Sequence, residues 1–318
     1  MEETAVTPGP KKRMALPNIF RRMAENPVIL KELRGRMRGR RAFIFLTIYL
    51  IIISLFIGGI YAVIAAQINA TPWDPGSRQN AGKTIFSCVV LFEFLLIGFI
   101  GPALTAGAVT SEREHRTYDL LRTTLLSPRA LVFGKLGSAC MYLLLLIFTA
   151  VPIEALAFLL GGVGLEELLV SGVMLIVNTI FFCSLGLLCS SFTKRTLTAT
   201  VTSYAIILLG VLGLGLATFM LTFFATSNLS GSSSSPAALA LLGVLWLMSA
   251  TNPFSAAAVS EAFLIQDQSL FFVKVPQIFN GLGTVYVPSP WILHVGLYGI
   301  LTALMIFLSI QFVKRPDR

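Results

Sequence analysis

Three polar side chains stand in apolar surroundings: Glu93 in Phe92-Glu93-Phe94, Glu154 two residues after Pro152, and Asn178 in a long apolar run. An ionisable group at membrane depth costs roughly 2.5–3.5 kcal/mol on insertion scales, so it faces a bundle interior or water. The chemistry this offers is recognition along a path. Glu93 and Glu154 would favour a cationic or polar group, and Asn178 would offer an amide. The competing reading at each position is structural: a neutral or hydrogen-bonded group within the packing, or one near the outer interface.

Covalent chemistry finds no footing in these 318 residues. There is no GxxxxGK[ST], hence no loop built to cradle phosphates ahead of a helix. HExxH and GxSxG are absent, as is a Cys/His nucleophile arrangement. Cys88, Cys140, Cys183 and Cys189 all fall in apolar runs without a CxxC pair and read as small packing residues. His115 and His294 are far apart and form no metal cluster. Leu229-Ser230-Gly231 matches the opening of a nucleotide-binding signature by chance, inside a serine-rich linker at 227–235.

The elements that must position the polar residues are long and apolar. The chain is 55% hydrophobic and 12% charged, about half the charge of a soluble domain. Apolar runs fall at about 42–65, 84–109, 129–160, 168–192, 196–225 and 291–313. About 20 helical residues cross a hydrocarbon layer about 30 Å thick. Helices satisfy their own backbone groups in lipid, and the runs lack the period-two alternation of a barrel strand. The fold expected is all-α and polytopic, with six transmembrane helices spread over 42–313. Pro102 and Pro152 are expected to kink the second and third. Gln67 to Lys83 reads as a polar loop.

Outside the runs, residues 1–17 read as a disordered basic N-terminus. The first 41 residues are polar and basic, and the first apolar run is too long for a signal h-region, so no cleavable signal is expected. Residues 18–41 read as an amphipathic helix on the cytoplasmic surface. Asn26 and Pro27 suit its start, Leu30, Leu33 and Met37 recur on one face, and Lys31, Arg34, Arg38 and Arg41 line another. Those basic groups suit anionic lipid headgroups. No basic–aromatic interleaving suggests nucleic acid. Residues 237–250 are apolar but too short for a span. They are expected to be a re-entrant piece within an extracytoplasmic segment at 226–290, ahead of the last span.

Charge sets the orientation. Of 24 Lys and Arg residues, 21 lie up to Arg41, within 110–135, in the 193–195 turn and in the tail at 314–318. Six spans place all of these on one side and leave Arg78, Lys83 and Lys274 on the other. The positive-inside rule then puts both termini in the cytoplasm.

The largest cytoplasmic loop, 110–128, mixes charge with apolar residues. Ser111 and Glu114 have capping-box spacing, Glu112 and Arg116 stand four apart, and Ser127-Pro128 suits the start of the third span. Leu120, Leu121, Leu125 and Leu126 are apolar groups outside the bilayer and need a burial partner. The loop reads as a docking helix for a cytoplasmic protein; the alternative is a loop folded back on its own spans.

With Gly134-Lys135-Leu136 after it, this stretch resembles the membrane subunit of type-2 ABC transporters. Asn26-Pro27 followed by Lys31-Glu32-Leu33-Arg34 is similar to the opening of that family's connecting helix. Gly161-Gly162, Lys194-Arg195 and the insertion before the last span also fit. The resemblance covers about residues 24–315. It implies a permease subunit of an ATP-driven transporter, an exporter, in the cell (inner or plasma) membrane. A second permease copy or homologue and two ABC ATPase subunits would complete it, with ATP and Mg on the ATPases and no cofactor on this chain. It also implies coupling through Glu112, Arg113, Glu114, Leu120, Leu121, Leu125 and Leu126.

Two other classes stay open. A stand-alone secondary transporter would show related halves with interrupted helices in corresponding positions, and no such repeat is visible. A non-transporting scaffold or lipid-modifying protein is the other. An enzyme of that kind would gather polar residues near one interface, and none are gathered.

Overall fold

The computed structural model describes residues 27–37, 40–70, 75–117, 127–159, 163–229, 236–267, 270–275 and 285–314. In chain order the helices are α1 (Pro27–Met37), α2 (Arg40–Ala70), α3 (Pro75–Thr105), α4 (Thr110–Glu114), α5 (Pro128–Leu159) and α6 (Leu165–Phe192). Then come α7 (Thr196–Leu208), a π-helical turn (Leu209–Gly213), α8 (Leu214–Leu229), α9 (Pro236–Thr251) and α10 (Pro253–Asp267). Strands β1 (Phe272–Val275) and β2 (Val285–Pro288) precede α11 (Pro290–Lys314). Proline opens α1, α3, α5, α9, α10 and α11, where its missing N–H leaves no helix bond unmade.

Six helices are long and apolar enough to cross a membrane, or up to seven if the bent pair α9–α10 counts as one span. The chain is an all-α, multi-pass membrane protein. The polar loop expected between Gln67 and Lys83 is instead mostly helix. α2 runs on to Ala70 and α3 begins at Pro75, because Pro75 pre-sets a helical start and the polar residues after it extend α3 beyond the apolar run. A two-stranded antiparallel hairpin, Phe272 opposite Pro288 and Val275 opposite Val285, also interrupts the helical plan.

α6 is the centre of the bundle, with α3, α5, α7, α10 and α11 packed on it. The approach of α3 depends on Gly186. A Cβ there would run into Thr105 Oγ1 and come within 2.9 Å of the Pro102 Cα. Phe86, Val89, Phe94, Met174, Phe181, Phe182 and Leu185 fill the core around this contact. α2 leans on α3 through stacked rings, Phe56 and Phe92, with centroids 4.0 Å apart. The span formed by α7, the π turn and α8 buries none of its most apolar window inside the chain.

α1 packs along α5 with a face that its own periodicity did not single out. Ile29 is buried, and a Cβ on Gly137 of α5 would lie 3.3 Å from its Cδ1. Glu32 and Arg36 share that face, while Leu30 and Met37 are exposed. α5 presents a glycine notch and a lysine, and these select Ile29 and Glu32 over the Leu30–Met37 stripe. Lys31 and Arg34 are exposed, as expected for headgroup contact. Arg38 lies outside the described residues, and Arg41 belongs to α2.

Candidate functional site

The loop after the second span is built around its neighbours' hydroxyls and carboxylates. Helix α4 has no side-chain cap of its own. Its first amides instead donate to Ser190 Oγ on α6, Val109 N at 2.9 Å and Thr110 N at 3.1 Å. The capping box expected from Ser111 and Glu114 does not form. Glu114 reaches across to α7, where its carboxylate accepts from the Thr196 amide at 2.8 Å and the Thr196 hydroxyl at 2.9 Å. Arg195, the residue before α7, provides no side-chain cap, so Glu114 supplies one from another element. Arg113 Nη1 donates to the Thr193 carbonyl at 2.7 Å.

The pair expected between Glu112 and Arg116 is also replaced. α4 ends at Glu114, and Arg116 takes a left-handed backbone, φ 57°, which carries it off the helical face. Glu112 turns inward to Lys135 of α5, with Nζ to Oε1 at 2.7 Å. The same ammonium holds Glu32 of α1 at 3.2 Å. The Lys135 side chain is only 4% exposed, so its charge depends on these two carboxylates. Beside it, Arg36 Nη2 donates to the Leu104 carbonyl at 3.0 Å, near the end of α3. Five elements, α1, α3, α4, α5 and the α6–α7 turn, therefore meet in one network of charge-assisted bonds.

Of the residues assigned to coupling, Glu112, Arg113 and Glu114 are brought together here and bind within the chain. His115, Arg116 and Thr117 are the exposed residues that follow. Leu120, Leu121, Leu125 and Leu126 lie outside the described residues. Ser127 caps α5 as expected, its hydroxyl accepting from the Ala130 amide at 3.2 Å.

The three polar residues of the spans fall into two groups. Glu93 is fully buried, and its Oε1 accepts from the Tyr49 hydroxyl at 3.3 Å. The Glu154 carboxyl comes up against that of Glu93. Asn178 belongs elsewhere. Its Nδ2 donates to the Met174 carbonyl at 2.8 Å and faces His294 Nε2 of α11 at 2.9 Å. His294 Nδ1 lies 2.8 Å from the Ala250 carbonyl, which can only accept. The imidazole therefore carries its hydrogen on Nδ1 and receives the amide at Nε2. Tyr298 donates to the Thr251 carbonyl at 2.9 Å. The end of α9 is thus satisfied by α11 side chains. The chain then turns through 113° at Asn252, whose Oδ1 caps α10 at the Phe254 amide and whose Nδ2 donates to Val211 in the π turn.

Residues 27–257 match the model for the ABC-2 family transporter protein. This chain belongs to that family. No curated protein matches it. An ABC-2 permease is the membrane subunit of an ABC transporter and is not itself the enzyme; such permeases generally work with an ABC ATPase. The matched stretch takes in the whole ionic network, from Glu32 to Thr196, together with both groups of buried polar residues save His294 and Tyr298. Neither Tyr49 nor Ser190 of this ABC-2 permease stood out in the sequence. Lys135 stood there as a cytoplasmic charge and within Gly134-Lys135-Leu136, not as the centre of an ionic network. One signal was available for Lys135, a lone cation followed by an apolar run. For Tyr49 there was none, since a tyrosine in an apolar helix is ordinary.

Proposed function

We propose that this chain is the permease subunit of an ATP-driven exporter, working as two permease and two ATPase subunits in the cell membrane with both termini cytoplasmic. ATP and Mg sit on the ATPases. The observation that carries the reading is the Glu112–Lys135–Glu32 network with its companion bonds from Arg113 and Glu114. It ties Glu112, Arg113 and Glu114, at the head of the loop after the second span, to α1, α5 and the start of α7. A force applied to that loop moves three helices together. The exposed His115, Arg116 and Thr117 and the leucines at 120, 121, 125 and 126 are the surface offered to the ATPase.

Closure of the ATPase dimer on ATP draws the loops together, and the attached spans tilt to open the outer side. The loop must contact the two ATPase states differently for this to do work. Cargo passes between the two permease copies, with Glu93 and Glu154 the polar groups it meets. Asn178 is reassigned to holding α6, α11 and the end of α9 in register. The bent pair α9–α10 is a re-entrant element entered from the outer side. Lys31, Arg34, Arg38 and Arg41 contact anionic headgroups.

The test is recovery of the tagged chain from its native membrane in mild detergent, with identification of what stays bound. An ABC ATPase in equal number is expected. Leu120→Asp with Leu121→Asp should release it while the permease still elutes as a folded particle. Recovery with no ATPase, or cargo movement by the permease alone, would overturn the reading.

A further inference from the structure

Three helices each bring a polar group to one point: Tyr49 from α2, Glu93 from α3 and Glu154 from α5. All three are buried, with Glu93 at 0% and Glu154 at 8% exposure. One oxygen on each carboxyl, Glu93 Oε2 and Glu154 Oε1, is sealed from solvent and accepts no hydrogen bond. The titratable groups that bear on the pair are each other and the Tyr49 phenol. Among the described residues, no lysine, arginine or histidine of the packed neighbours α1, α6, α7, α10 and α11 bears on either carboxyl.

We propose that Glu93 and Glu154 form a proton-binding site, closed by the Tyr49 phenol, whose occupancy holds α2, α3 and α5 in this packing. Two charged carboxylates side by side in a medium of low dielectric repel strongly, and no basic side chain among the described residues offsets them. One proton between them turns that repulsion into an O–H···O⁻ hydrogen bond, among the strongest available to a side-chain pair. The two unpartnered oxygens supply the donor and acceptor for it. A metal ion suits the site poorly. Hard cations take about six oxygen ligands, and here there are two carboxyls and a phenol already donating to one of them.

The chemistry is a single protonation: a proton arrives from water, a carboxylate becomes a carboxylic acid, and no other bond changes. Release sends the proton back to water on whichever side is open, and the helices then carry two facing charges. The proposal shares its two carboxyls with the proposed cargo path, on which it rests to that extent. The proton site would exist even if cargo took another route.

Difference infrared spectroscopy of the complete transporter in lipid nanodiscs reads a protonated carboxyl directly. We expect its carbonyl band in the wild type, a shift of that band in Tyr49→Phe, and its loss in Glu93→Gln with Glu154→Gln. The melting temperature should fall as pH rises in the wild type, because the bound proton stabilises this packing. The fall should be smaller in the double variant, and sodium or potassium should leave the melting temperature of either protein unchanged. If the double variant fails to fold, Tyr49→Phe keeps both acids and its band must still move. Absence of a protonated-carboxyl band, an unmoved band in Tyr49→Phe, or melting that follows sodium or potassium rather than pH would each overturn the site. Cargo-stimulated ATPase of Glu93→Gln tests the path separately. Unchanged stimulation with the double variant's band lost removes the path and keeps the proton site; lost stimulation with no wild-type band does the reverse.

Discussion

Lys135 shows how one side chain governs a junction. It sits in an apolar helix, almost wholly buried, and its two carboxylate partners are 30% and 21% exposed. Lys135→Ala leaves those carboxylates facing each other with nothing between. The partial exposure of the partners limits the cost to about 1–2 kcal/mol, below that of breaking a fully buried pair. Thermal unfolding in detergent should show the loss, and Lys135→Met with Glu112→Gln should recover part of it. Equal stability of Lys135→Ala and the wild type would mean that the network contributes nothing. Residue identity alone did not reveal this role. The motif Ser111–Glu114 has the spacing of a cap, yet Ser190 and Thr196 draw the amides and the carboxylate elsewhere, because α6 and α7 stand closer than the loop's own first turn.

At the scale of elements, span existence and type were legible because apolar length is a local property. Each of the six runs became helical, and proline marks three of the six starts. Boundaries and faces were less legible. The face that α1 buries is chosen by Gly137 and Lys135, more than 100 positions away, and no periodicity within α1 carries that information. The break between α9 and α10 falls at Asn252-Pro253, and its fastening was not legible in the chain. Asn252 joins that break to the π turn of a span some 40 residues earlier. Asn252→Ala removes a helix cap and the amide's bond to the Val211 carbonyl, a loss of about 2 kcal/mol. Asn252→Asp keeps the cap oxygen and should lose about half as much. Melting curves should show the Ala variant as the less stable of the two, and a reversed ranking would mean that the cap contributes nothing.

The proposed topology puts the basic segments in the cytoplasm and the two β strands outside. Cysteines introduced singly at Thr117 or Lys314 should react with a membrane-impermeant thiol reagent only when the cytoplasmic side is open to it. A cysteine at Tyr286 should react from the outer side. Labelling of Lys314→Cys from outside would reverse the topology. The spans, which depend on summed hydropathy, were readable from composition. The division of Glu93, Glu154 and Asn178 into two separate groups was not, since it depends on which helices become neighbours. The carboxylate of Glu114 carries a consequence for measurement. The start of α7 is finished by a group that belongs to the loop, so withdrawal of the loop strips that helix of its cap and frees its first turn to fray. Deuterium uptake at the amides of Thr196 to Ala199 should then act as a gauge of loop engagement, quickening whenever the loop is pulled down and slowing when it returns, with no label placed on the loop.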